Sequence, residues 1–269
     1  LLVKPVYPLV SRLFHVSASG TYILLCGLLC GYPLGAKLCG DYFRQGKISQ
    51  KEAQYLLAFC CHPSPMFLLG YVRQQLPVGI NSGLLLLSVC LPVPLLSFLA
   101  QKLYQPQTGG QRTPSPVRLE TAPVCLESIL LSSAETMVLI GGCMMMFSIF
   151  ALWIRQLSIL PVRLQALVAG AVEMTTGIHQ ISTVFPEYTA VAPALAAAAF
   201  GGISGIFQTK SVLSDSLIPE KHSQEGLPVT SKNAGGLSIR HYVLWKLIHA
   251  GLTCIAAQLL IHLMQPLGL

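Results

Sequence analysis

The sequence predicts an all-α, polytopic membrane protein made of two repeats that contain broken or re-entrant helices. Three observations carry that expectation: the scarcity of charge, the way charge-free intervals are distributed, and the residues that interrupt them. Of the 269 residues, 53% are hydrophobic and 10% charged, where a soluble domain carries roughly 25% charged residues. Mean hydropathy is +0.63. So little charge cannot clothe a water-facing surface, which excludes a soluble enzyme. The net charge of +7 does not point to nucleic acid, because the Lys and Arg are scattered among apolar runs. In a membrane protein such an excess reads as loop charge on the cytoplasmic side.

Six intervals lack Asp, Glu, Lys and Arg: 13–36, 53–72, 74–101, 136–154, 188–209 and 247–269. Crossing a hydrocarbon core takes about 20 residues, so each is long enough to span. The first apolar run, Ser19 to Leu38, is interrupted at Gly31-Tyr32-Pro33-Leu34-Gly35-Ala36-Lys37. There proline removes a helical hydrogen bond and the glycines let the chain turn. The second, Ala53 to Val72, is cut at Cys61-His62-Pro63-Ser64-Pro65. In 82–103, Pro92 and Pro94 are expected to kink the span rather than break it. Residues 122–157 are too long for one span and read as one or two segments. Leu164 to Ser182 reads as a helical stretch containing Glu173, and Ala192 to Gln208 turns irregular from Phe200 to Gly205. The last span begins near His241, with Arg240 and Lys246 at its start.

The expected organisation is a first repeat at 1–104, a polar linker at 105–121 and a second repeat at 122–269 with a polar loop at 210–238. An offset of 141 aligns LAFCC at 57–61 with AAFGG at 198–202 and Tyr32 with Glu173. It also aligns residues 1–14 with 142–155, the tail of a span, so that a further helix is expected before Leu1. Residues 1–15, with Lys4, Pro5, Pro8 and Arg12, are no signal-peptide pattern. If 19–38, 53–76 and 82–103 each cross, the basic loops 37–51 and 102–118 share one side, which is then cytoplasmic. Whether the halves are parallel or inverted depends on the number of crossings per unit.

Non-helical backbone at membrane depth is tolerated only where it is buried in protein or lines a cavity, and broken helices in corresponding places of two halves point to a transporter's binding site. The candidate substrate-binding residues are therefore Gly31, Tyr32, Pro33, Gly35 and Lys37 at the first break, His62 and Ser64 at the second, Glu173, Thr175 and Thr176 at the third, and Gly201, Gly202, Ser204 and Gln208 at the fourth. Glu173, alone in a neutral run, reads as the site of a coupling proton or Na+, or as a structural partner for His179 or Lys37. An intramembrane carboxylate is costly unless paired or hydrated. Lys37 either snorkels at a helix end or faces the cavity as the partner of an anionic substrate. His62 either shuttles a proton or caps a carbonyl. No cofactor or metal is implied: the nine cysteines show no CxxC pair, and His241, His249 and His262 form no ligand pattern. An intramembrane protease is disfavoured because Ser204 is not in a Gly-x-Ser-x-Gly elbow.

The run GYPLGAK at 31–37 closely resembles a signature of the YlbJ sporulation integral membrane protein family, a branch of the nucleoside-recognition (Gate) domain proteins. QYLLAF at 54–59, PMFLLG at 65–70, LIGG at 139–142, FGGIS at 200–204 and KLIHA at 246–250 follow in the family's order. The sequence departs at Cys60-Cys61-His62-Pro63, where the family carries Asn and Gly, so side-chain roles do not transfer to those four positions. The resemblance implies a fold similar to concentrative nucleoside transporters, with inverted repeats around a midplane site, in a bacterial cytoplasmic or forespore membrane. It implies a secondary transporter of a small polar, anionic aromatic metabolite of the dipicolinate type, active in sporulation. The alternatives are a non-transporting component of spore cortex assembly and a nucleoside transporter. The expected partners are the lipid bilayer, the small-molecule substrate and a coupling proton or Na+, and not nucleic acid; the oligomeric state is left open.

Overall fold

The computed structural model describes residues 3–106, 126–215 and 237–264. The linker expected at 105–121 and the polar loop expected at 210–238 fall largely outside the described residues.

The chain is an all-α integral membrane protein, with no strand among the described residues. After α1 (Tyr7–Phe14) the backbone bends by 94° into α2 (Ala18–Cys30). Ser17 starts α2 by accepting from the amide of Gly20, the usual office of an N-cap serine. α2 ends at Gly31, whose φ of +79° takes the chain round Tyr32 and Pro33 into α3 (Leu34–Arg44). At about 1.5 Å per residue, neither arm covers a hydrocarbon core of about 30 Å. The arms fold back on each other, with Gly27 and Gly35 face to face. The run 19–38 is therefore a re-entrant hairpin and not the crossing that its length suggests.

α4 (Gln50–Leu57) gives way to an irregular stretch at 58–64, and Ser64 then caps α5 (65–75), which widens into a π turn over Leu68–Val72. α6 (Ser82–Tyr104) is one apolar span. Leu91, just before Pro92, keeps right-handed helical angles, so the prolines deform the span without breaking it. α7 (Leu126–Arg155) is a single 30-residue helix, about 45 Å long. Gly141 and Gly142 have no close neighbour and do not divide it; the alternative of two segments is corrected.

Leu164 to Ser182 is not one helix. α8 (Val162–Val172) and α9 (Met174–Val184) meet at Glu173, whose φ of −143° and ψ of 122° are extended. They form a second hairpin, closed by Gly170 against Gly177 so tightly that a Cβ on Gly177 would fall 2.0 Å from the Cα of Gly170. α10 (Val191–Phe200) and α11 (Gly202–Asp215) are joined through Gly201 and Gly202, with φ of +81° and +72°. The span α12 (Ile239–Met264) completes the described chain. Hairpin, broken helix and span thus occur twice in the same order.

The two hairpins enter from opposite ends of the molecule. Beside the mouth of the first, Glu52 accepts from the amide of Ser17, the Tyr55 hydroxyl bonds the Phe14 carbonyl and Ser97, and Trp245 donates to Tyr104. At the mouth of the second, Gln165 ties the carbonyls of Leu157 and Leu160, while Tyr188 approaches Gly79 in the α5–α6 loop. Each end has its own apolar core. One gathers α1 to α4 with the start of α12, and the other gathers α5, α8 to α10 and the later part of α12. The stretches that precede α4 and follow α6 lie at one end, so the basic groups Arg44, Lys47, Lys51 and Lys102 share that end although 19–38 does not cross.

Candidate functional site

Between the two cores the tips and breaks converge. Gly31 lies against Ser64 and the His62 carbonyl, where a Cβ would sit 3.0 Å from the Ser64 amide nitrogen. The Tyr32 ring lies over Gly201, and its hydroxyl reaches the carbonyls of Ala199 at 2.7 Å and Ala198 at 3.2 Å, at the end of α10. Gly202 in turn touches the Val172 carbonyl and the backbone of Glu173 and Met174. Pro33 is buried at the start of α3. Gly35, with Gly27, clasps the Cys60 carbonyl. Gly31, Tyr32, Pro33, Gly35, His62, Ser64, Glu173, Gly201 and Gly202 are thus drawn into one region, and the N-terminal ends of α3, α5 and α11 open into it. Such ends favour negative charge.

Glu173 is 1% exposed and caps α9. Its oxygens accept from the amides of Thr175 at 3.0 Å and Thr176 at 2.7 Å, from the Thr175 hydroxyl at 2.5 Å, and from Ser148 at 3.4 Å. The Thr176 hydroxyl bonds Ser148 on α7, and Tyr71 on α5 donates to the Thr175 carbonyl. His179 pairs with Gln75 and Lys37 donates to Thr136, so neither is the partner of Glu173. Lys37 leans on α7 at Thr136 while Glu173 meets α7 at Ser148, about three turns and 18 Å further along. The alternative of Lys37 as the structural partner of Glu173 is corrected on that geometry, and the two expected site residues contact α7 at separate points. Ser204, 1% exposed, and Gln208 bond each other at 3.1 Å inside α11.

The charge at the convergence is Lys246, which sequence reading placed at the edge of the last span. It is 1% exposed. Its ammonium donates to the Tyr32 hydroxyl at 2.5 Å and to the Cys61 carbonyl at 2.9 Å. Its ionisable neighbours from the 58–64 stretch are Cys60 and Cys61. One turn on, His249 donates from Nε2 to the Val89 carbonyl at 3.0 Å, and its ring meets that of His62 edge-on at 5.3 Å. His62 is also 1% exposed, and neither of its ring nitrogens has a hydrogen-bond partner; the same holds for the Thr253 hydroxyl. Tyr242, Lys246, His249 and Thr253 lie on one buried stripe of α12. Their spacing of four, three and four residues is the signal that could have found them.

The convergence therefore combines a cation held by neutral oxygens, an unsatisfied imidazole and three helix N-termini, with the Glu173 carboxylate beside them already taken up by the amides and hydroxyl at the start of α9. That is an arrangement fit to take a carboxylate or another polar anion. Among the described residues no group of three His, Cys, Asp or Glu side chains is placed to hold a metal ion. A separate apolar groove of about 780 Å³ runs beside α12 from Leu247 to Gln258, between the second hairpin and α10, with Arg163 at its rim.

The chain is similar to Sporulation integral membrane protein YlbJ of Bacillus subtilis (strain 168), with 27% identity over 162 residues. The match covers 53% of this chain and 40% of the relative's length, and it supports the resemblance carried by the motifs. No family model matches the chain, and no solved structure matches it.

Proposed function

We propose that the protein is a secondary transporter of a small, anionic aromatic metabolite of the dipicolinate type, working in a bacterial membrane during sporulation. One observation carries the reading. Two hairpins that enter from opposite ends place their tips against two helix breaks at a single buried point. Irregular backbone at that depth has a physical reason if polar cargo must be met there. With α4 to α5 taken as a broken crossing, that crossing, α6 and α7 separate the hairpins, and an odd number of crossings inverts the second half relative to the first. Alternating access is then one half rocking against the other around a fixed site. The similarity to a sporulation integral membrane protein supports the setting, and the cation at the convergence supports an anion over a neutral nucleoside.

A second reading is a non-transporting component of spore cortex assembly. The near-complete burial of Glu173, His62 and Lys246 favours it. Uptake of dipicolinate by vesicles reconstituted with the purified protein separates the two. Saturable uptake supports the carrier, and uptake no faster than in protein-free vesicles overturns it.

A further inference from the structure

We propose that Lys246 is the coupling group of this site: it holds the proton that travels with anionic cargo, and loss of that proton releases hairpin 1 from α10. The proposal deepens the transport reading and rests on it for the cargo, but its switch can be tested without transport.

The argument is one of hydrogen-bond accounting. The Tyr32 hydroxyl has a single hydrogen and three near neighbours: Lys246 Nζ at 2.5 Å, the Ala199 carbonyl at 2.7 Å and the Ala198 carbonyl at 3.2 Å. A carbonyl only accepts, and an ammonium only donates. While Lys246 is charged it donates to the Tyr32 oxygen, so the Tyr32 hydrogen goes to Ala199 and pins the hairpin tip to the end of α10. Once Lys246 is neutral its nitrogen has a lone pair. The amine keeps two N–H donors, but the Tyr32 hydrogen now lies within reach of its lone pair, and when it turns there it leaves Ala199. The only covalent bond that breaks is one N–H of Lys246, and the proton leaves for water or for the cargo carboxylate.

The surroundings fit a charge that comes and goes. A buried charge is costly unless it is paired, and no carboxylate faces Lys246 among the described residues. From hairpin 1 it meets the phenol of Tyr32. From the 58–64 stretch it meets the thiols of Cys60 and Cys61 and the imidazole of His62. On its own helix stand His249 and Tyr242, the latter accepting from Thr209 of α11. From α6 comes the Val89 carbonyl, already taken by His249, and from α10 come the two carbonyls reached by Tyr32. A cargo carboxylate supplies the missing negative charge. The second, independent sign of a ligand is His62, buried with both nitrogens unused. Anion and proton then enter together and charge stays balanced.

Hydrogen–deuterium exchange on the purified full chain across pH 5.5 to 9 tests the switch. After correction for intrinsic exchange, protection at 29–36 and 195–202 is expected to fall about five-fold, the worth of one hydrogen bond, through a one-proton transition. Lys246→Arg, charged throughout this range, is expected to give a flat profile. Tyr32→Phe, which lacks the shared hydrogen, gives a flat profile too and serves if the arginine variant does not fold. A flat wild-type profile, or the same transition in either variant, overturns the proposal. In parallel, vesicles carrying an internal pH indicator are given a dipicolinate gradient. Flux with matching proton movement supports the coupling, and flux without it overturns the coupling while leaving transport intact. Absence of flux overturns the transport reading and with it the coupling, and the exchange profiles then decide the switch alone.

Discussion

Lys246 donates to the hydroxyl of Tyr32, a residue 214 positions away in the chain, and the same hydroxyl lies 2.7 Å from the carbonyl of Ala199. One phenol thus ties the last described span to the first hairpin and to the end of a broken helix. Substituting Tyr32 by Phe removes both links at once. It leaves Lys246 with the Cys61 carbonyl alone, and an unsatisfied buried donor costs about 1–3 kcal/mol. Tyr32→Phe is expected to lower thermal stability in detergent by that amount, while Tyr22→Phe, on the partly exposed side of α2, changes it little.

Glu173 holds the N-terminus of α9 through two amides and the Thr175 hydroxyl. Glu173→Ala removes a cap worth about 1–2 kcal/mol. It should raise amide exchange at 174–177 before any other part of the second hairpin. Equal exchange in the variant and the wild type at those amides would show that the cap contributes nothing.

The clasp just behind the hairpin tips allows no side chain. A Cβ on Gly27 would lie 2.0 Å from the Cys60 carbonyl oxygen, and backbone cannot yield as a flexible side chain does. Gly27→Ala and Gly177→Ala are expected to cost more than the roughly 1–3 kcal/mol of ordinary overpacking and to abolish recovery of folded protein. Gly141→Ala, which meets nothing within 4 Å, is expected to be tolerated. Size-exclusion profiles of the three variants check this.

The breaks were legible where their chemistry is local. GYP at 31–33 and the two prolines around Ser64 announce chain reversal from a few residues alone, whereas Glu173 stands out only as a lone charge in a helical stretch, and its capping of α9 is not read from the sequence. What could not be read was depth. The span that begins near His241 carries Arg240 and Lys246 at its start, and nothing local tells which of the two is buried. Lys246 is buried because acceptors from distant segments meet it. The expectation that Lys37 and Glu173 serve one site has the same origin. The sequence does not show that they meet α7 at Thr136 and Ser148, points about 18 Å apart along that helix.

That correction has a direct consequence. Lys37→Gln removes a bond to Thr136 on the rim of α7 and is expected to leave dipicolinate uptake within about two-fold of wild type. A loss as large as that of a Lys246 variant would restore Lys37 to the site.

The most direct measurement is dipicolinate uptake by vesicles carrying wild-type protein or Lys246→Gln, with folding of both checked by thermal unfolding. Losing one buried charged hydrogen-bond donor costs about 1.5–3 kcal/mol, so uptake is predicted to fall by a factor of ten or more in the variant. Equal uptake by the two proteins would contradict the account.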